Sequence, residues 1–272
     1  MPLSDFVRTL NAPNSFFPKH YAVTGLDQPF VAINGRIFLQ YANIRLESHY
    51  LPIIELASGK LHGHAASFKA FGLSTRIPLL PEAVFVLPTD DEEFIYLDRL
   101  VRTLHALNYL TKPAQGNLLL KVHTRHVLSV PSDHGLAFEE ILKPCGLFPD
   151  QITLEIEIDS SADSERLVRA IHSYQSRGYS ISASRFGRSH LDFGLLREIR
   201  PDIVKLDPSL VASSRPLTRI IDNIKKLPSQ VLLEGIDVQT LRKYGLFGSI
   251  DLLQNRLPMH YQQTDRAIST AA

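Results

Sequence analysis

The sequence predicts a mostly parallel α/β fold, closed as a (β/α) barrel, and three observations carry that expectation. From residue 117 onward, short apolar runs alternate with segments of helical period. The stretch "QITLEIEI" (151–158) alternates apolar and polar residues, the period of a half-buried strand. About eight strand-like runs occur, most followed by a helical pattern, a number and order that suit a barrel better than an open sheet.

The elements follow in order. "YLPIIELASGKLHGHAASF" (50–68) reads as two strands around the turn Ala57-Ser58-Gly59-Lys60, an antiparallel hairpin at the start of the sheet. "DDEEFIYLDRLVRTLHALNYL" (90–110) sets Leu97, Leu100, Val101, Leu104, Leu107 and Leu110 at helical spacing. Its acids crowd the N-terminal end, where the helix dipole favours them. "NLLLKV" (117–122) is a strand, and a helix is expected after Ser132 as N-cap, with Leu136, Glu139 and Glu140 following. "DSERLVRAIHSYQSRG" (163–178) puts Leu167, Val168, Ile171 and Tyr174 on one face, with Gly178 past the helix end. Strand "YSISAS", helix "HLDFGLLREI", strand "DIVKL", helix "PLTRIIDNIKKL", strand "QVLLEG", helix "VQTLRKYG" and a strand near "SIDLLQ" complete the repeat. The expected division is an N-terminal extension over 1–45, a barrel over 46–262 and a flexible tail over 263–272.

Bulk properties narrow the function. The 272 residues are 44% hydrophobic and 21% charged, enough for a sizeable core. A net charge of +1 gives no broad basic field for a nucleic acid polymer and no polybasic run for anionic lipid. Cys145 is the one cysteine, which excludes an intrachain disulfide and a thiolate zinc cluster and suits a reducing, cytoplasmic setting. The first residues do not read as a signal peptide, and no apolar run reaches the length of about 18 residues that membrane insertion needs. His62, His64 and His123 read as surface or packing histidines rather than a metal site.

Chemistry in such a barrel sits where strands end. Those ends read "YLPIIELASGKLHGHAAS", "LLLKVH", "LEIEI", "ISASRFG", "IVKLD", "VLLEGID" and "DLLQNRLP". In order and spacing they resemble the EAL domain, the family of cyclic di-GMP phosphodiesterases, whose corresponding motifs are YQPI, GxEAL, NVS, ELTE, DDFG, KID and EGVE. The likeness covers about residues 48–260. It implies a TIM-like barrel with one antiparallel strand and, in active members, hydrolysis of cyclic di-GMP with two divalent cations held by hard oxygen ligands.

The pattern breaks at several of those ligands. The Glu of the naming motif falls on Ala65, the Asn ligand on Lys121, the DDFG acids on Ser184 and Arg185, and the second Glu of ELTE on Ile158. Glu155, Lys205 and Glu234 match a ligand Glu, the site Lys and another site acid. Lys121, Arg185 and Lys205 set against Glu155 and Glu234 are expected to repel dications. The resemblance therefore implies no metal, no cofactor and no enzyme activity. Lys121 and Arg185 either hold an anionic ligand or pair with Glu155 and Glu234. The nucleotide-contact positions fall on Leu51, Lys69 and Ala70, and the late proline on Pro258, so Lys69, Lys121, Arg185 and Pro258 form the candidate ligand set. The expected role is a bacterial signalling protein working through an unidentified regulatory protein partner. The rivals are a metal-independent cyclic di-GMP receptor and a residual phosphodiesterase. The apolar runs "SFF", "FVAI" and "RIFLQY" of the extension are the candidate partner surface.

Overall fold

A computed structural model describes residues 3–12, 29–111, 116–158, 163–212 and 217–254. Helix α1 (Leu3–Leu10) precedes strands β1 (Phe30–Ile33) and β2 (Arg36–Tyr41). The connection between these two strands runs through Asn34 and Gly35, both in the left-handed region with φ of 51° and 73°, as a tight hairpin turn requires. Then come the 12-residue strands β3 (Ile44–Glu55) and β4 (Leu61–Gly72), the short β5 (Pro78–Leu79), and helices α2 (Pro81–Val84) and α3 (Asp91–Leu110). The repeat proper follows: β6 (Asn117–Val122), α4 (Thr124–Ser129), α5 (Leu136–Leu142), β7 (Ile152–Glu157), α6 (Ser164–Ser176), β8 (Ser180–Phe186) and α7 (Phe193–Ile199). It ends with β9 (Ile203–Leu206), α8 (Ser209–Ala212), α9 (Leu217–Ile224), β10 (Gln230–Glu234), α10 (Val238–Lys243) and β11 (Leu252–Gln254).

Strands β4 and β6 through β11 pair in parallel, and β3 closes the circle antiparallel to both β4 and β11. The result is a closed eight-stranded mixed barrel with one antiparallel strand, as expected from the sequence. The upper part of β3 also pairs with β2, and β2 with β1, so the sheet runs past the barrel. Close approach at the seam between β4 and β6 demands glycine at Gly63, where a Cβ would lie 2.1 Å from the Asn117 carbonyl oxygen.

Helix starts follow their capping side chains. Asp90 Oδ1 accepts from the Glu93 amide at 2.7 Å, Asp163 from the Arg166 amide at 3.0 Å, and Asp192 from the Leu195 amide at 2.8 Å. The expected cap at Ser132 fails: its hydroxyl donates to Asp133 instead, the chain turns through left-handed Asp133 and Gly135, and α5 begins only at Leu136. The helices pack outside the sheet through Leu167, Ile171, Leu196, Ile221 and Leu241, and a second apolar cluster joins Val7, Leu10, Phe30 and Leu39 of the extension to Leu97, Leu100 and Leu104 of α3.

Candidate functional site at the strand ends

Inside the barrel, Ile53, Ala65, Leu119, Ile203, Leu232 and Leu252 form a dry plug. Side chains along a strand alternate faces, so the residues two positions on also point inward, one layer nearer the C-terminal rim. Those are Lys121, Lys205, Glu234 and Gln254, joined by Glu155 and Ser184 from β7 and β8. They line a cavity of about 320 Å³ together with Leu51, Ala65, Ala66, Ser67, Glu82, Leu206, Asp207, Pro208 and Arg185.

Lys205 is the floor of this site. Its Nζ donates to Glu155 Oε2 at 2.9 Å and lies 2.8 Å from Glu234 Oε2. The ammonium is 7% exposed, Glu155 12% and Glu234 38%. Burial works against the charge, but the two carboxylates outweigh it and hold the Lys205 pKa above the ordinary lysine value. Gln254 Nε2 donates to Glu234 Oε2 at 3.3 Å, while its buried Oε1 has no protein partner.

The cations expected to fill the site behave differently from one another. Lys205, rather than Lys121 or Arg185, takes both Glu155 and Glu234, because it rises from the floor between them. Arg185 sets its Nε 3.3 Å from Glu157 Oε2 and remains 41% exposed. Its φ is +55°, a left-handed conformation that costs a side-chain-bearing residue about 1–2 kcal/mol, at the break in register between β8 and β9. Lys121 is exposed at the rim and has no carboxylate partner among the described residues. Lys69 does not line the cavity. It sits four residues beyond Ala65 on β4, about 14 Å along the strand, facing Glu47 across the ladder. Pro258 and Asp159 lie outside the described residues. His64 packs on Tyr109, and His123 donates to or accepts from Asp98 at 2.7 Å, so the two histidines belong to different neighbourhoods.

Glu82, Asp207 and Gln254 were missed in the sequence. Asp207 directly follows Lys205 and Gln254 holds the inward position of the last strand, so the two-residue period could have found both. Glu82 arrives from α2 and has no local signal. These residues undo the charge count that predicted a repelling site. The lining acids are Glu82, Glu155, Asp207 and Glu234 against Lys121, Arg185 and Lys205, a formal balance of 3 − 4 = −1. A pair of divalent cations needs converging donors, and among the described residues no three His, Cys, Asp or Glu side chains converge. As arranged, Glu155 and Glu234 hold an ammonium, and the side chains do not fit a two-cation cage.

The EAL domain model matches residues 37–244. The chain is 23% identical over 236 residues to the probable cyclic di-GMP phosphodiesterase PdeB of Escherichia coli, covering 77% of this chain and 42% of that one. Among solved structures it is similar to Klebsiella pneumoniae BlrP1 in a calcium and cyclic di-GMP complex (TM-score 0.65, 17% identity, 77% of this chain and 54% of that one). It is also similar to Bacillus subtilis YkuI, which has an EAL domain, in complex with substrate c-di-GMP and calcium (TM-score 0.64, 18% identity, 77% and 53%). The chain thus spans about half the length, or less, of these relatives. The sequence expectation that the chain is not an enzyme is overturned on two grounds. Its curated relative is a probable phosphodiesterase, and the repelling charge behind the expectation is not there once Glu82 and Asp207 are counted. No helix of the described residues is long and apolar enough to cross a membrane. The closed mixed barrel, the strand-end cavity and a family match over 37–244 together make this chain a member of the EAL domain family.

Proposed function

We propose that this barrel acts in cyclic di-GMP signalling by taking the dinucleotide into the strand-end cavity without a divalent cation. The carrying observation is the pair of rim cations. Lys121 has no carboxylate partner among the described residues, and Arg185 engages Glu157 through Nε while its two terminal nitrogens remain for a phosphate. Lys205 keeps the floor carboxylates neutralised beneath them. The cavity, at about 320 Å³, is of ordinary ligand size. The likeness in fold to proteins solved with cyclic di-GMP supports the same ligand class. A cytoplasmic setting goes with this reading and is supported by the single cysteine.

The test is calorimetric titration with cyclic di-GMP in EDTA and again in Mg²⁺, with the linear product assayed in both. Saturable binding in EDTA, lost in Lys121→Glu with Arg185→Glu, supports the reading. Binding that appears only with Mg²⁺ refutes it, and the product assay then reads turnover directly.

A second reading, action through a regulatory protein partner, is favoured by the apolar side chains on the segment leading into α3. Leu80 is 74% exposed and Val86 80% exposed. A Leu80→Asp, Val86→Asp variant that stays folded, still binds cyclic di-GMP and loses its signalling output in cells would support it. An unchanged output would sink it.

A further inference from the structure

A second cavity, of about 180 Å³, lies among the helices outside the barrel and shares no residue with the strand-end site. It is bounded by α3, α4, the turn before α5, α5 itself and Tyr174 of α6. A cavity of roughly 150 Å³ already holds a benzene-sized guest.

Its base is a buried ionic cluster. Asp98 is 2% exposed and receives Arg102 Nε at 3.2 Å and Arg102 Nη2 at 3.1 Å. His123 Nδ1 reaches the other carboxylate oxygen at 2.7 Å. His126 Nδ1 is 3.0 Å from Asp98 but off-line for a hydrogen bond, and its Nε2 is 3.4 Å from Arg102 Nη2. Arg102 is 3% exposed, lies over the Phe138 ring at 4.9 Å and lines the cavity. Its Nε and Nη2 are committed to Asp98, while Nη1 has no protein partner among the described residues. A second arginine, Arg99, lines the same cavity one helical step away. The acid on the lining, Asp133, stands at the mouth, where Arg177 and the Ser132 hydroxyl hold it.

Two guanidiniums thus face a space whose buried carboxylate, Asp98, balances only one of them. The open nitrogen belongs to a side chain almost wholly removed from water, and a buried donor without an acceptor is costly. An oxyanion satisfies it, and the planar fork of arginine matches phosphate and carboxylate oxygens alike. Phe138 and Tyr174 supply apolar walls for a small attached group.

We propose that this cavity binds a small oxyanion-bearing molecule, through a phosphate or carboxylate group held by Arg102 Nη1 and Arg99. The experiment uses the full chain, with inorganic phosphate and succinate as separate probes at constant ionic strength, followed by calorimetry. Tighter binding of one probe than the other identifies the group. Three variants are compared: Arg99→Gln, Ala137→Leu, which fills the cavity, and Lys121→Gln in the strand-end site as control. Saturable binding weakened about tenfold or more by the first two, and changed less than about twofold by the third, supports the proposal. Loss in Lys121→Gln with the other two unaffected overturns it, as does no saturable binding of either probe. Arg102→Lys keeps the charge and loses the fork. If it does not fold, Ala137→Leu still decides the matter.

Discussion

Replacing Lys205 by methionine keeps the length of the side chain and removes the ammonium that two carboxylates share. In the wild type Lys205 Nζ stands 2.9 Å from Glu155 and 2.8 Å from Glu234. Stripping one partner from a buried pair costs about 3–5 kcal/mol, because the remaining charge stays buried without compensation. Glu155, 12% exposed, carries most of that here. Glu234 is 38% exposed, and solvent screening cuts its share to about 1 kcal/mol or less. The expected loss is about 4 kcal/mol at pH 7, a fall in Tm of roughly 10 °C for a chain of this size. The pH dependence has a definite sign. In the variant the two carboxylates face each other, and their folded pKa values rise. The deficit is therefore full near pH 7 and shrinks as acid protonates them in both states. In the wild type the raised Lys205 pKa means the pair stabilises below the unfolded lysine value of 10.5 and loses that stabilisation as pH climbs through the folded one. Urea unfolding followed by circular dichroism at several pH values measures both, and suits a chain with no tryptophan. A deficit below about 1 kcal/mol at pH 7, or one that does not change with pH, would falsify the view of Lys205 as the electrostatic keystone of the site.

Four further outcomes follow from particular residues. Burial pushes His105 down to about 3 and His126 down to about 4, so both are neutral in the folded protein. Stability should fall as pH drops below about 6.5, with a slope of up to about 2.7 kcal/mol per pH unit near pH 5 from these two residues, and His105→Phe should halve it in pH-dependent urea unfolding. Arg185→Gly relieves a left-handed backbone and should gain about 1 kcal/mol of stability while weakening cyclic di-GMP binding in EDTA; a variant that binds as well as the wild type removes Arg185 from the site. Asp90→Ala removes the cap of α3 and should lose about 1 kcal/mol in thermal unfolding, a loss that Asp90→Ser should largely restore. Gly63→Ala drives a methyl group into the Asn117 carbonyl, and the protein should lose several kcal/mol or fail to accumulate as a soluble monodisperse species in gel filtration.

Much of the barrel was legible because parallel strands covered by helices leave strong local marks. "QITLEIEI" became β7, "DIVKL" became β9, and the acids Asp90 to Glu93 became a helix start, each by a periodicity or capping rule acting within a few residues. Glu155, Lys205 and Glu234 were legible as a group through their place at strand ends, and the structure brings all three together. Their pairing was not legible. Which cation takes which carboxylate depends on the layer each side chain occupies inside the barrel, and Lys205 outcompetes Lys121 by depth rather than by charge. Glu82 could not be seen from sequence, because its position depends on how α2 folds over β4. Nor was the start of α5: a serine followed by a helical pattern reads as a cap, but the two left-handed residues at Asp133 and Gly135 delay the helix. The strands of the extension carried their own signal in Asn34-Gly35, but nothing local told that β2 would pair with the strand that closes the barrel.

That shared strand sets the order in which the molecule can be completed. β3 joins its hairpin partner β4 within the first 72 residues, but its other barrel neighbour is β11, where Glu55 pairs with Leu252 and Ile53 with Gln254. While the chain is being made, the lower edge of β3 therefore stays open until nearly the whole barrel has emerged, and open edges are where chains pair with the wrong partner. The upper edge does not wait. β2 covers it from Ile44 to Glu47 using residues synthesised before β3 itself, and β1 covers β2 in turn. The extension thus protects half of the longest exposed strand during the slowest closure in the fold, leaving one short seam for the final strand to zip.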